Sequence, residues 1–156
     1  MPQFTTERQV AHSADEMFAL VADVERYPEF VPLCERLIVR TRQRDGERET
    51  LVADMTVGYK AIRETFTTRV LLDRPGLTID AQYLEGPFRN LDSRWTFVPE
   101  GPHTCLVLFS IDYEFKSRVL GAVMGAAFDG MFRKLAGAFE ARADAVYGAA
   151  ATVSSD

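Results

Sequence analysis

Cysteine is scarce. Cys34 and Cys105 are the only two in 156 residues, and they stand far apart without a CxxC spacing. That excludes a disulfide framework and a cysteine-built zinc site. Two reduced thiols, as in a reducing compartment, are expected. Histidine is as rare. His12 and His103 fall at expected loop positions, and neither has a neighbour in sequence that suggests a triad or a metal site. No GxSxG, P-loop, HExxH or GxGxxG occurs. No apolar run approaches the about 18 residues that span a bilayer. The segment Met1 to Gln9 lacks a basic stretch followed by an apolar one, and it is no Arg-rich amphipathic leader. A cytoplasmic protein is therefore expected. An excess of positive charge is also missing. The net charge of −5 argues against DNA as a partner and against non-specific attraction to RNA or anionic membranes.

What is present is globular. The chain is 47% hydrophobic and 26% charged, which suits one soluble domain with one core. That domain is expected over residues 1–147, and the small, polar stretch 148–156 reads as a disordered tail. Arg36, Arg40, Arg42, Arg44 and Arg48 crowd into one segment, but Glu35, Asp45, Glu47 and Glu49 interleave with them. A solvated edge hairpin accounts for this pattern.

The order of elements follows from periodicity and turn chemistry. Residues 3–11 read as a strand. Ser13-Ala14-Asp15-Glu16 is a capping box for a short helix that buries Met17, Phe18, Leu20 and Val21. Asp23 is placed to cap a second short helix, Val24 to Glu29, kept short by Pro28 and Pro32. Six strands follow, punctuated by Asp45-Gly46, Pro75-Gly76, Gly86-Pro87 and Gly101-Pro102. Their alternation sends Leu51, Ala53, Met55, Val57 and Tyr59 to one face, then Ile62, Phe66 and Val70. Leu77, Ile79, Ala81 and Tyr83 follow, then Leu91, Ser93, Trp95 and Phe97, and last Cys105 through Phe115 at every second position. Ser117 is an N-cap for a helix from Arg118 to Tyr147, roughly 45 Å long. Its apolar stripe is Leu120, Met124, Phe128, Met131, Leu135 and Phe139, widened by Val123, Ala127 and Phe132. Gly121, Gly125, Gly130 and Gly137 in it imply close packing or a bend.

Short turns between consecutive strands imply an antiparallel sheet, and its apolar face needs a cover. The expected fold is α+β, a seven-stranded antiparallel curved sheet around the long C-terminal helix, with two short helices after the first strand. A straight helix cannot touch all of a curved sheet, so a gap should remain, with the two short helices as a lid. The candidate lining is Met55, Tyr59, Phe66, Tyr83, Trp95, Phe109, Tyr113, Met124, Phe128, Met131 and Phe132, aromatics and methionines suited to an adaptable apolar site. An ordinary core would draw on the same residues. Glu64 shares a face with Ile62 and Phe66, either as a buried acid or turned to an arginine such as Arg63 or Arg94. No catalytic constellation is found, and no metal is expected.

Several motifs carry a resemblance. Asp23-Val24-Glu25-Arg26-Tyr27-Pro28-Glu29-Phe30-Val31-Pro32, then Cys34, resembles the opening signature of the coenzyme-Q-binding START-like family. Gly86-Pro87-Phe88 followed by Leu91, Trp95 and Phe97 resembles its central motif. Tyr113-Glu114-Phe115-Lys116-Ser117 and Phe139-Glu140 with Arg142-Ala143 resemble its closing ones. The resemblance implies a helix-grip fold with a hydrophobic tunnel, and ubiquinone or another lipid as bound ligand rather than catalytic cofactor. It implies a non-enzymatic quinone chaperone that supports respiration, with transient contact at the inner membrane. Tyr59, Tyr83 or Tyr113 would offer a hydroxyl to a quinone carbonyl at the mouth, and Lys116 would be a surface contact. The same family includes bacterial RatA-type toxins, which implies as an alternative a protein that binds the large ribosomal subunit and blocks subunit association. The wider superfamily holds polyketide cyclases, a third alternative.

Overall fold

The computed structural model describes residues 3–148, so the stretch 149–156 of the expected tail lies outside the described residues. Strand β1 (Gln3–Val10) leads into helix α1 (Ala14–Ala22) and a 3₁₀ helix (Val24–Glu29). Six strands follow: β2 (Cys34–Asp45), β3 (Arg48–Tyr59), β4 (Ile62–Asp73), β5 (Thr78–Glu85), β6 (Phe88–Gly101) and β7 (Thr104–Phe115). Helix α2 (Arg118–Tyr147) closes the chain. The sheet is antiparallel throughout, in the order β1-β7-β6-β5-β4-β3-β2.

The predicted caps are there. Ser13 Oγ accepts from the Glu16 N–H while the Glu16 carboxylate accepts from the Ser13 N–H, so both free donors are satisfied. Ser117 Oγ accepts from the Leu120 N–H at 3.1 Å. Asp23 differs from expectation. It stands at the start of the 3₁₀ helix but makes no side-chain cap, and its carboxylate lies 3.7 Å from Arg26 instead. A 3₁₀ turn presents its first N–H groups at a different angle from an α-helix, which leaves this side chain turned to the guanidinium.

Alternation sends one face of every strand to the core, most cleanly in β7, where Cys105, Val107, Phe109, Ile111, Tyr113 and Phe115 are all buried. Gly86 fits its turn for a local reason. It sits at φ 142°, and a Cβ there would stand 2.6 Å from Phe66 Cβ. The glycines of α2 have no such reason. A Cβ at Gly125 or Gly130 would meet nothing within 4 Å, and at Gly121 or Gly137 it would make only ordinary contacts, so close packing does not explain them. Val123, expected on the buried stripe, is exposed, because the helix turns its Met124, Phe128 and Phe132 line to the sheet.

The arginine-rich segment is an edge hairpin. Arg40 pairs with Asp54, Arg42 with Glu25 and Glu49, Arg44 with Glu49, and Arg48 with Asp73. Both cysteines are free and buried. His12 corrects the reading of an isolated loop histidine. It is buried, and its Nε2 lies 2.7 Å from Asp144 Oδ1, a partner 132 residues away that only folding brings near.

Candidate functional site

Helix α2 packs on β1, β7 and α1. The sheet curves away from it toward β2, and a cavity of about 120 Å³ remains between them. Its sheet wall is built from Leu37 on β2, Ala53 and Met55 on β3, Phe66, Thr68 and Val70 on β4, Ile79 and Ala81 on β5, Leu91, Ser93 and Trp95 on β6, and Phe109 on β7. Met131, Phe132, Leu135 and Phe139 supply the helix wall. Val24, Tyr27 and Val31 close it from the 3₁₀ helix and the segment after it. Only this second short helix covers the cavity. Helix α1, also expected in the lid, packs on β5, β6, β7 and α2 instead.

The cover is fastened on two sides. Glu29 accepts from Arg142 of α2 at 2.6 Å, and Phe30 lies edge-on to Phe139 with ring centroids 5.0 Å apart. Arg42 on β2 reaches Glu25 at 3.1 Å. Tyr27 is an internal tie, since its hydroxyl donates to the Val21 carbonyl while its ring meets Phe139. Burial pushes the Tyr27 phenol far above its ordinary range. Burial likewise raises Cys34 to about 11, so that thiol is protonated at neutral pH and inert as a nucleophile.

Met55, Phe66, Trp95, Phe109, Met131 and Phe132 of the candidate lining stand on the cavity wall. Tyr59, Tyr83, Tyr113, Met124 and Phe128 do not. Tyr59 is half-buried at the end of β3, under the Lys60 ammonium. Tyr83 accepts from the Phe88 N–H at 3.0 Å. Tyr113 packs against Phe88, Phe115, Phe128 and Phe132, and Met124 is fully buried. The tyrosines expected to meet a ligand at the mouth are thus absorbed in packing or lie outside the wall.

Glu64 is half-buried and off the wall. The arginines suggested as its partners are taken, Arg63 by Glu35 and Arg94 by Asp80. Among the described residues no carboxylate, histidine, lysine or arginine lines the cavity. Among the described residues no group of three ligand-type side chains is placed to hold a metal, and no helix is long and apolar enough to cross a membrane.

The motif residues divide by role. Tyr27 faces the cavity, while Pro28, Phe30, Pro32 and buried Cys34 build and follow the cover. Gly86 and Pro87 make the turn that delivers Phe88 to the core. Glu114 lies 3.6 Å from Arg89, Phe115 stacks on Phe88, Lys116 is exposed, and Ser117 caps α2.

The wall residues missing from the candidate lining include large ones, Leu37, Val70, Ile79, Leu91, Leu135 and Phe139, and small ones. Ala53, Ala81 and Ser93 were legible as inward-facing, and their size is what leaves the space. Small side chains on adjacent strands opposite a helix are the signal for a cavity rather than a core.

A curved antiparallel sheet that grips one long helix around an apolar cavity defines a START-like helix-grip protein. The chain belongs to the polyketide cyclase / dehydrase and lipid transport family, whose model matches residues 10–140. It is 35% identical to "Ribosome association toxin RatA" of Vibrio cholerae over 148 residues, covering 95% of this chain and 99% of that one. It is 30% identical to "Coenzyme Q-binding protein COQ10, mitochondrial" of Drosophila melanogaster, covering 87% of this chain and 56% of that protein. A START superfamily protein of Mycobacterium smegmatis superposes with a TM-score of 0.78 at 25% identity, covering 92% of this chain and 98% of that one.

Proposed function

We propose that this chain holds a quinone in the cavity between the sheet and α2, as a carrier that does no chemistry on it. One observation carries the reading. The wall is predominantly apolar and, among the described residues, free of charged groups, so it offers burial without a charged acid or base. That also weighs against a cyclase, which needs proton-transferring groups beside its substrate. The likeness to a protein named for coenzyme Q binding supports the ligand class. A cavity of about 120 Å³ is ring-sized, comparable with the ~150 Å³ cavity that takes up benzene. The ring therefore occupies it, and an isoprenoid tail leaves past Leu37 and Met55, the half-buried apolar side chains of β2 and β3.

Trp95 is the chain's only tryptophan and lies on the wall, so its fluorescence reports occupancy. Titration with a short-tailed ubiquinone should quench it saturably at one per chain, and extraction should return the quinone unaltered. Absence of quenching to the solubility limit, with no quinone co-purifying from the host, would end the reading.

A second reading is association with the ribosome. It is supported by the alignment with a protein named a ribosome association toxin, which covers nearly all of both chains. The arginines of the edge hairpin are its candidate contacts, although most are already paired with carboxylates. Co-sedimentation with ribosomes at low salt, falling steeply as salt rises, would support it.

A further inference from the structure

Two hydroxyls interrupt the apolar wall. Thr68 on β4 is buried, and Ser93 on β6 stands between Leu91 and Trp95 on the concave face. No side-chain hydrogen bond is seen for either among the described residues, and neither is a sealed, orphaned atom as Asp112 Oδ1 is; both line the cavity. A hydroxyl with no protein partner on an otherwise apolar wall needs an acceptor, and a ligand oxygen would supply one.

Register fixes their spacing. Ala81 of β5 pairs with Val70 on one side and Ser93 on the other, and Thr68 lies two residues along β4 from Val70. Two strand spacings and that two-residue offset separate the Thr68 and Ser93 Cα atoms by about 12 Å. A single acceptor would have to lie within about 3 Å of both oxygens, which that separation does not allow. One ligand that satisfies both must carry two acceptors several ångströms apart, as a flat ring with opposed carbonyls does. Ala81 lies between them, and its small side chain leaves room for a flat ring.

We infer that Thr68 and Ser93 are the head-group contacts of the cavity, each donating to one of two opposed carbonyl oxygens of a para-quinone whose ring lies over Ala81. This rests on the carrier reading and deepens it. The ring enters first and sits against the sheet, and the tail points outward. The tyrosine hydroxyls expected at the mouth are not used. The geometry also defines selectivity. Fatty acids and monohydroxy lipids, with polar atoms at one end only, satisfy one hydroxyl and strand the other.

The test uses the full chain with two probes, a short-tailed ubiquinone and the same tailed ring lacking both carbonyl oxygens. Thr68→Val and Ser93→Ala each remove a hydroxyl with little change of shape, and Thr68→Ser keeps one. Each loss should weaken the quinone about fivefold to tenfold and leave the deoxygenated probe unchanged, while Thr68→Ser, which keeps the hydroxyl, should bind the quinone like the parent chain. Infrared difference spectra with carbonyl-labelled quinone should show both carbonyl bands shifted to lower frequency in the parent chain and only one in each single variant. If both probes bind and neither variant discriminates between them, the head-group assignment fails while the carrier reading stands. If neither probe binds the parent chain, both fail. Unchanged denaturation midpoints in the variants separate these outcomes from misfolding.

Discussion

The space under α2 has two ends made from the same elements, and only one of them is filled. Beneath the N-terminal half of the helix, Phe88 meets Phe66, Tyr83, Tyr113, Phe115 and Phe128, with the Phe88 and Phe115 rings stacked at 4.7 Å. Beneath the C-terminal half, the sheet presents Ala53, Ala81, Ser93 and Thr68, and the cavity opens. Both ends are apolar and both are rich in aromatics. What separates a core from a pocket here is the size of the strand residues opposite the helix. Six packed rings leave no room at one end, and four small side chains leave a ring's worth of room at the other.

The sharpest break of that contrast is Phe88→Ala. Phe88 is fully buried, so the change should cost about 3–5 kcal/mol through lost burial and a new void. Urea denaturation measures it. Loss of less than about 1 kcal/mol would mean that the filled end is not what holds the sheet to the helix. Gly86→Ala attacks the same end through the backbone. The new Cβ would lie 2.6 Å from Phe66 Cβ at a φ of 142°, and a loss above about 2 kcal/mol is expected by the same measurement.

This contrast also explains how far the sequence could be read. The β2 to β7 meander, the Ser13 and Ser117 caps and the long helix follow from alternation, Asp-Gly and Gly-Pro turns, and a stripe repeating every three or four residues, all of which are local, whereas the pairing of β1 with β7 is not. The cavity is not local. Met55 and Trp95 face it, Tyr83 and Tyr113 serve the filled end, and all four alternate inward in the same way. Which of them meets empty space depends on residues two and three strands away. The His12–Asp144 contact and the Glu29–Arg142 fastening were hidden for the same reason, since each joins positions more than a hundred residues apart.

Filling the open end should make it resemble the other. Ala81→Leu places a branched side chain where the ring would lie. Quinone affinity should fall at least about tenfold, near 1.4 kcal/mol, with stability changed by less than about 1.5 kcal/mol because the side chain enters existing space. Trp95 quenching and a denaturation curve on the same sample test both halves. A large destabilisation with binding intact would show that the cavity does not house the ligand.

The smallest expected effect concerns the cover, which the filled end does not need. Glu29 is held by Arg142, with Arg26 beside it, and both guanidiniums keep its carboxyl below the ordinary value of 4.5. A carboxyl lowered in the folded protein contributes stability that is complete above its ordinary value and lost as the pH falls through the lowered one. Glu29→Gln should therefore speed quinone release at pH 7 roughly two- to fivefold, since an exposed ion pair contributes little. The difference from the parent chain should shrink as the pH falls below 4.5 and the parent's own carboxyl becomes protonated. Stopped-flow release across that range reads it directly. Equal release at pH 7 would place the exit elsewhere than under the 3₁₀ helix. A difference that persisted unchanged in acid would trace the effect to side-chain shape rather than to the charge that fastens the cover to α2.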